Sequence, residues 1–206
     1  MPGYIDASLL QLRHLKRRQQ NPPRPHAQPT FGAKVQYTTP TNNSPILPNE
    51  RLKYILQVVG VFLYYGIAID NTILVGLVEI AAKQSVATAN TTTRVYHLMD
   101  YFVSSPNATI HYYSSGMVLF IYSDSSHLLF AKARSCAIGV YFLSNPKPYT
   151  ITFTDYTSLL NGFVPVLCKI LWNIMASAAE AKYGALFLSG QAAMPIRTTL
   201  NEMGHP

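Results

Sequence analysis

The sequence predicts a protein of mixed α and β class, in which a helical unit precedes a domain that contains a β-sheet. Three observations predict this class. Apolar residues recur every three or four positions between Arg51 and Ile67, which is the spacing of a helix. After about residue 107 the period becomes two, which is the spacing of strands. Residues 21–50, which precede both of these regions, contain seven prolines, which is typical of an extended connector.

Composition places most of the basic charge near the N-terminus. The chain has 206 residues and a formal net charge of +7, and it is long enough for one large domain or two small ones. Residues 1–50 are predicted to be a basic, proline-rich arm that could contact phosphate groups, although a solvated linker would have the same composition. The candidate nucleic-acid-binding residues are Arg13, Lys16, Arg17, Arg18 and Arg24.

The N-terminal sequence and the cysteines favour an intracellular protein, cytoplasmic or nuclear. The first twenty residues lack the apolar core of a secretory signal. The longest apolar run, from Ile55 to Ile69, is shorter than the roughly twenty residues that span a membrane. A buried helix is therefore expected there, with a membrane hairpin as the weaker alternative. Cys136 and Cys168 have no metal-ligand spacing and suit buried thiols in a reducing compartment.

Helices are predicted in the first half of the chain and again at its end. The early ranges are residues 3–20, 51–67, 73–84 and about 91–104, and residues 51–106 are expected to form one helical unit. Asn49 is expected to cap the second of these helices. A last helix should run from about Ala178 to Leu188, break at Ser189-Gly190 and resume to Met203, with a second kink at Pro195.

Strands are predicted between these helical regions, over residues 109–113, 117–123, 137–143 and 163–170. Gly139 is expected to mark the close approach of a neighbouring element. Pro165 indicates that the strand over residues 163–170 lies at an edge or carries a bulge. Residues 145–160 are expected to be a surface loop.

Two carboxylates occupy positions that suit metal-dependent chemistry. Asp124 follows an apolar strand, and we expect it at the strand's C-terminal edge. Glu180 lies in the first turn of the last helix. Phosphodiester hydrolysis by two metal ions needs several carboxylates around ions about 4 Å apart. Each residue also has an ordinary structural explanation: Asp124 as a turn residue and Glu180 as the partner of Ser177 in a capping box.

The order of several sequence blocks resembles the C-terminal part of a copia-type retrotransposon polyprotein, in which reverse transcriptase continues into ribonuclease H. The blocks are MPGYI at residues 1–5, LQVVGVFLYYGIAID at 56–70, HLMDYFVSSPNATIHY at 97–112, YSDSS at 122–126, KARS at 132–135 with Gly139, and AAEAKY at 178–183. They resemble, in order, the strand after the polymerase palm, the "LVGSLLY" helix, the helix leading into the nuclease, "YSDAS", "K/R-S-x-x-G" and "STEAEY" of that family.

The resemblance implies a three-layer ribonuclease H fold with a mixed five-stranded sheet, of which residues 107–206 would form part. It implies Mg²⁺-dependent hydrolysis of RNA in an RNA–DNA hybrid, with Asp124 and Glu180 as the first two metal-ligand acids. The hybrid and the remainder of the polyprotein would be the partners.

Departures from the family pattern limit the expected activity. The family's third and fourth nuclease acids have no counterpart in this chain, and the polymerase's paired aspartates are absent from it. The second acid of "EAEY" is Lys182 here. We therefore expect a fragment with little or no cleavage of its own. The alternative is a non-catalytic nucleic-acid-binding or assembly fragment that uses the basic N-terminal residues.

Overall fold

The computed structural model describes residues 2–15, 18–25, 44–146 and 161–205. The chain divides into two compact units, Met1–Thr109 and Ile110–Pro206. The first unit is helical, and the second combines a three-stranded sheet with a long helix. The predicted mixed α and β class is confirmed at this level. The described strands are all antiparallel, whereas the predicted five-stranded sheet was mixed.

The described part of the first unit contains four α-helices: α1 (Tyr4–Gln11), α2 (Asn49–Ala68), α3 (Leu74–Ala81) and α4 (Ala89–Ser104). α2 and α4 agree with the prediction to within a few residues. Asn49 is the first residue of α2 and not its cap, because the extended residue before the helix is Pro48. α3 is shorter than predicted, since the chain forms single 3-10 turns at Asn71–Ile73 and Gln84–Val86.

One continuous apolar core joins these helices. It includes Phe62 of α2 and Phe102 of α4, whose rings stack at 4.2 Å. α1 contributes Ile5 and Leu9 to the same core, and Leu12 just after it is also buried there. This part of the predicted arm is thus integrated into the helical unit. The predicted helix over residues 3–20 ends at Gln11, and Arg13 adopts a left-handed backbone with φ of 52°.

The described part of the connector is also bound to the helical unit. The backbone N–H of Gln20 donates to Ser104 Oγ at 3.1 Å. The Pro22 carbonyl lies 3.0 Å from His97 Nε2 on α4. Residues 26–43, most of the proline-rich stretch, lie outside the described residues, as do residues 147–160 of the predicted surface loop.

The second unit has strands in the order β1 (Val118–Phe130), β2 (Arg134–Ser144) and β3 (Phe163–Ile170). A 3-10 turn at Ala131–Ala133 joins β1 to β2, and Lys132 in it has φ of 61°. β3 has the predicted bounds and pairs with β2 at one side of the described sheet. Its register shifts between Val166 and Phe163, so Pro165 lies at a bulge in an outer strand, as predicted.

Residues 109–113 lie outside the described strands, so the prediction of a strand there is wrong. At Tyr113, the last residue of this range, the side chain of Asn161 takes the place of a neighbouring strand. Its Oδ1 accepts from Tyr113 N and its Nδ2 donates to Tyr113 O, both at 2.8 Å. An amide side chain therefore satisfies backbone groups that a neighbouring strand would otherwise bond.

A single helix, α5 (Ala178–Glu202), packs on β1 and β2. The predicted break at Ser189-Gly190 is wrong. Ser189 is buried, its carbonyl accepts from Tyr141 Oη at 2.8 Å, and its hydroxyl donates to Ser123 Oγ at 3.0 Å. These sheet contacts hold the residue in helical conformation. α5 also continues through Pro195.

The face of α5 toward the sheet is made of small residues. Ala181, Ala185 and Ser189 recur every four residues and are buried. Such a face lets the helix approach the sheet closely, and Gly139 on β2 is where it does so. A Cβ on Gly139 would lie 2.7 Å from Ser189 Oγ. The predicted close approach at this glycine is confirmed.

No helix in the described ranges is long and apolar enough to cross a membrane.

Candidate functional site

Asp124 lies inside β1 and not at its end, so the expectation of an acid at the strand's C-terminal edge is wrong. Asp124 is opposite Ile138 of β2, and pairing continues through Ser125 and Ser126. The alternative explanation of Asp124 as a turn residue is wrong as well, because the backbones of both serines pair with β2. Regular pairing is interrupted only after Ser126, and it resumes at Phe130, which is opposite Arg134 of β2.

Alternation along β1 decides which face carries the carboxylate. Ser123 is bonded to Ser189 of α5, so the next residue, Asp124, projects from the other face of the sheet. Tyr122 shares that face, and its ring meets Phe142 edge to face at 5.7 Å. The Asp124 side chain is largely exposed. This acid is therefore accessible to solvent, beside an apolar sheet face.

The N-terminal part of α5 comes near Asp124 through Lys182. Lys182 Nζ lies 3.9 Å from Asp124 Oδ1, and both side chains are about 70% exposed (68% and 73%). β1 is an outer strand of the described sheet, so a long side chain of α5 can reach past it. An ion pair this exposed contributes little stability, on the order of 0–1 kcal/mol. The ion pair does show, however, that the beginning of α5 lies near this part of β1.

Glu180 has the structural role that the sequence offered as the alternative to metal binding. Ser177 Oγ accepts from Glu180 N at 3.1 Å and caps α5. Glu180 Oε2 accepts from Ala176 N at 2.6 Å. In a capping box the glutamate would accept from the backbone N–H of Ser177. Here it accepts from the preceding N–H, that of Ala176, which lies just before the helix.

These two carboxylates do not by themselves form the donor set for a pair of Mg²⁺ ions. Among the described residues, no three His, Cys, Asp or Glu side chains come together as a metal site. One oxygen of Glu180 is engaged by a backbone amide, and a lysine ammonium stands near Asp124. Octahedral Mg²⁺ is held by oxygen ligands, and a two-metal site needs several converging carboxylates. The residues present do not fit that requirement, so no catalytic step follows from them.

The five basic residues predicted to bind nucleic acid have different surroundings. Arg13 and Arg18 are exposed. Arg24 is partly buried, with Nε 3.4 Å from Glu79 Oε2. Lys16 and Arg17 lie outside the described residues. Arg13 and Arg18 are therefore accessible to a phosphate, whereas Arg24 is engaged within the helical unit.

The ionic cluster around Glu79 was not predicted from the sequence. The Glu79 carboxylate on α3 is buried and contacts Arg94 of α4, Arg24 and Lys83. The Glu79–Lys83 spacing of four residues was the available signal, but the other two partners are distant in sequence. With three cations around one carboxylate, the cluster connects the connector, α3 and α4.

Two further side-chain pairs also join residues that are distant in sequence. His14 Nε2 lies 2.8 Å from Asp100 Oδ1 in the helical unit. In the sheet, Cys136 Sγ and Cys168 Sγ are 3.7 Å apart. Neither pair has a sequence signal, because the partners are 86 and 32 positions apart.

An open cavity of about 280 Å³ lies near the ends of α2 and α4, lined in part by Asp70, Thr72 and Tyr101. Asp70 is buried, and its Oδ1 accepts from Thr72 N at 3.2 Å and Thr72 Oγ1 at 2.5 Å. Asp70 thereby caps the 3-10 turn at Asn71–Ile73. Burial, together with the nearby Asp70 carboxylate, raises the pKa of Tyr65 above its usual range. The hydrogen bonds to Thr72 show that the Asp70 carboxylate stabilises the turn that follows α2.

Comparison with protein-family models, curated proteins and solved structures found no match to this chain, so its resemblance to copia-type polyproteins depends on the sequence blocks alone.

Proposed function

We propose that this chain is a fragment of a retrotransposon reverse transcriptase and ribonuclease H, whose parent activity is Mg²⁺-dependent hydrolysis of RNA in RNA–DNA hybrids. One observation carries the proposal: the N-terminal part of the helix with Glu180 lies near the part of β1 with Asp124. The 3.9 Å approach of Lys182 to Asp124 establishes that proximity. Two carboxylate positions separated by 56 residues in the chain thus come from neighbouring elements.

The order of elements gives further support. An antiparallel run β1-β2-β3 is followed by a helix that packs on β1 and β2. The block YSDSS lies within β1, AAEAKY lies at the start of α5, and KARS covers the end of the 3-10 turn and the first two residues of β2. These three blocks are in elements of the type that the resemblance implies, whereas MPGYI, which resembles a strand of the family, runs into the helix α1.

Lys182 makes the chain a poor catalyst by itself. The ammonium group stands near the carboxylate that would have to bind a divalent cation, and like charges within a few ångströms repel. The third and fourth acids of the family have no counterpart to offset it. We therefore propose that the isolated chain hydrolyses hybrids little or not at all.

The test is cleavage of an RNA–DNA hybrid with Mg²⁺ by the whole chain and by Asp124→Asn and Glu180→Gln. Glutamine retains an oxygen that can accept from Ala176 N, so Glu180→Gln should keep the start of α5 intact. We expect the wild type to cleave no faster than either variant. Robust cleavage by the wild type, abolished in Asp124→Asn, would contradict the inactive assignment.

A second function, nucleic-acid binding without cleavage, is favoured by the exposure of Arg13 and Arg18. Binding of a labelled hybrid should weaken steeply as salt rises, because phosphate contacts release counterions. Replacing both arginines by alanine should weaken binding and flatten the salt dependence. Binding that is absent, or independent of salt, would exclude this function.

A further inference from the structure

The two cysteines of the chain meet across the sheet. Cys136 lies on β2 and Cys168 on β3, and their sulfur atoms are 3.7 Å apart. Cys136 is buried, whereas Cys168 is partly exposed. They are the only cysteines among the 206 residues, so no other thiol of the chain competes for either sulfur.

The strand register explains how the thiols meet. Cys136 is opposite Ile170, and Cys168 is opposite Ile138, so the cysteines are diagonal neighbours on one face of the antiparallel pair. Diagonal neighbours remain within reach of each other's side chains, although they are farther apart than direct partners. A disulfide needs an S–S distance of about 2.05 Å, so the sulfurs must move closer by on the order of 1.7 Å.

β3 is suited to that movement. It is an outer strand of the described sheet, and its register already shifts at the bulge around Pro165. A bond formed with some distortion is more easily reduced than an unstrained one. The geometry therefore favours a reversible cross-link over a permanent one.

The thiols are within hydrogen-bond distance of each other, and either sulfur could donate. The S–H···S hydrogen bond from Cys168 lowers the pKa of Cys136, and the same interaction with burial raises the pKa of Cys168. A single negative charge is thus stabilised between the sulfurs, and a second is disfavoured. Because the pKa of Cys136 is lowered, its buried sulfur can attack as a thiolate once Cys168 has been oxidised.

We propose that Cys136 and Cys168 form a reversible intramolecular disulfide when a peroxide reaches the accessible sulfur of Cys168. In the minor form of the singly charged pair, in which Cys136 holds the proton of the S–H···S hydrogen bond, the Cys168 thiolate attacks one peroxide oxygen; the O–O bond breaks, and the departing hydroxide takes up the Cys136 proton to give water. The resulting sulfenic acid is attacked by the Cys136 thiolate, which forms the S–S bond and releases a second water. Two thiols are oxidised by two electrons in total, and one peroxide is reduced to two waters.

The test uses the whole reduced chain, exposed to hydrogen peroxide under native conditions and then alkylated after denaturation. We expect the intact mass to show the loss of two hydrogen atoms and no alkylation, with both changes reversed by glutathione. The same oxidation in urea should be slower, because unfolding separates the two sulfurs. A native product that keeps two alkylatable thiols, carries oxygen on Cys168, or is cross-linked only between chains would overturn the proposal. So would oxidation that is equally fast or faster in urea.

Single variants separate the roles of the two cysteines. In Cys136→Ser the reaction should stop at a sulfenic acid on Cys168, which a dimedone probe captures. In Cys168→Ser the buried Cys136 should stay reduced over the same time. Dimedone labelling of Cys136 in preference to Cys168 would contradict the assigned order. The wild-type mass measurement decides the proposal even if a variant fails to fold.

Discussion

At residue 139, the absence of a side chain allows α5 to lie against β2. Ser189 Oγ occupies the position next to the missing Cβ, and Tyr141 Oη would be 3.3 Å from it. Ser189 cannot withdraw freely, since its hydroxyl donates to Ser123 and its carbonyl accepts from Tyr141. Even one methyl group at position 139 would therefore disturb buried hydrogen bonds between the helix and the sheet.

Gly139→Ala should destabilise the second unit by about 1–3 kcal/mol, the usual cost of overpacking. Urea unfolding monitored by the fluorescence of Trp172 measures this loss, because Trp172 lies in the second unit. Trp172 is the only tryptophan of the chain, and its ring lies 5.0 Å from the Arg134 guanidinium in the native state.

Gly190→Ala is the matched control, because a Cβ at position 190 would meet nothing within 4 Å. This glycine lies within α5, so alanine should be neutral or stabilise by up to about 1 kcal/mol. Equal losses in the two variants would show that backbone freedom, and not the approach of α5, determines the effect.

Tyr141 should make the second unit less stable as the pH becomes alkaline. Burial raises the pKa of this phenol above its usual value of 10.0. The folded state therefore holds the proton more tightly than the unfolded state. The stabilisation is complete below pH 10 or so and is lost as the pH rises toward the higher folded pKa.

Tyr141→Phe should lower the free energy of unfolding at neutral pH by about 0.5–1.5 kcal/mol, through loss of the bond to the Ser189 carbonyl. It should also make stability fall less steeply above about pH 10. Urea unfolding at several alkaline pH values measures both effects. Tyr183→Phe, at an exposed position of α5, should keep the wild-type pH dependence. A steep fall that persists in Tyr141→Phe would assign it to other groups.

At the scale of elements, the cluster around Glu79 joins α3, α4 and the connector. Glu79→Gln would leave Arg24, Lys83 and Arg94 close together without the carboxylate between them. Because these cations are partly exposed, we expect a loss of about 1–3 kcal/mol, less than for a fully buried pair. Far-UV circular dichroism during urea unfolding follows this helical unit.

Glu50→Gln serves as the control, since Glu50 is exposed in the first turn of α2. Its replacement should cost only a few tenths of a kcal/mol, the scale of an exposed helix-dipole interaction. Arg24→Ala should resemble Glu79→Gln in stability. If Arg24→Ala instead left stability unchanged and reduced hybrid binding, Arg24 would belong with Arg13 and Arg18 as a phosphate contact.

Elements with strong local signals were predictable from the sequence. α2 and α4 follow from apolar spacing, and β3 with its bulge follows from an apolar run that contains Pro165. Asp124 was misplaced because two serines indicate a turn locally, whereas pairing with β2 overrides that preference. The break at Ser189 failed for a similar reason: sheet contacts hold a weak helix former in α5.

Most contacts of the candidate site join residues that are distant in sequence, so their spacing in the chain does not predict them. The capping of α5 by Ser177 and Glu180 was predictable, because its partners lie within four residues. The approach of Lys182 to Asp124 required the packing of α5 on β1. The same limit applies to the ion pairs of Arg24 and to the thiol contact of Cys136, which joins two strands.

At the scale of the whole molecule, the two units differ in how they bury apolar surface. The helical unit has a continuous core that includes Ile55, Phe62, Leu77 and Phe102. The main cluster between sheet and helix in the second unit is small, formed by Ala137, Leu171 and Ala185 with Met175 and Leu188 around it. Alanine side chains bury little area, and hydrophobic stabilisation scales with the area removed from water.

We therefore expect the second unit to unfold at a lower urea concentration than the first. Trp172 fluorescence and alkylation of the buried Cys136 both report on the second unit, whereas most of the helical signal at 222 nm comes from the first. The fluorescence and alkylation transitions should coincide with each other and precede the main loss of helical signal. A single midpoint for all three probes would show that the units unfold as one cooperative body, and would mean that the small core between sheet and helix does not set the stability of the second unit.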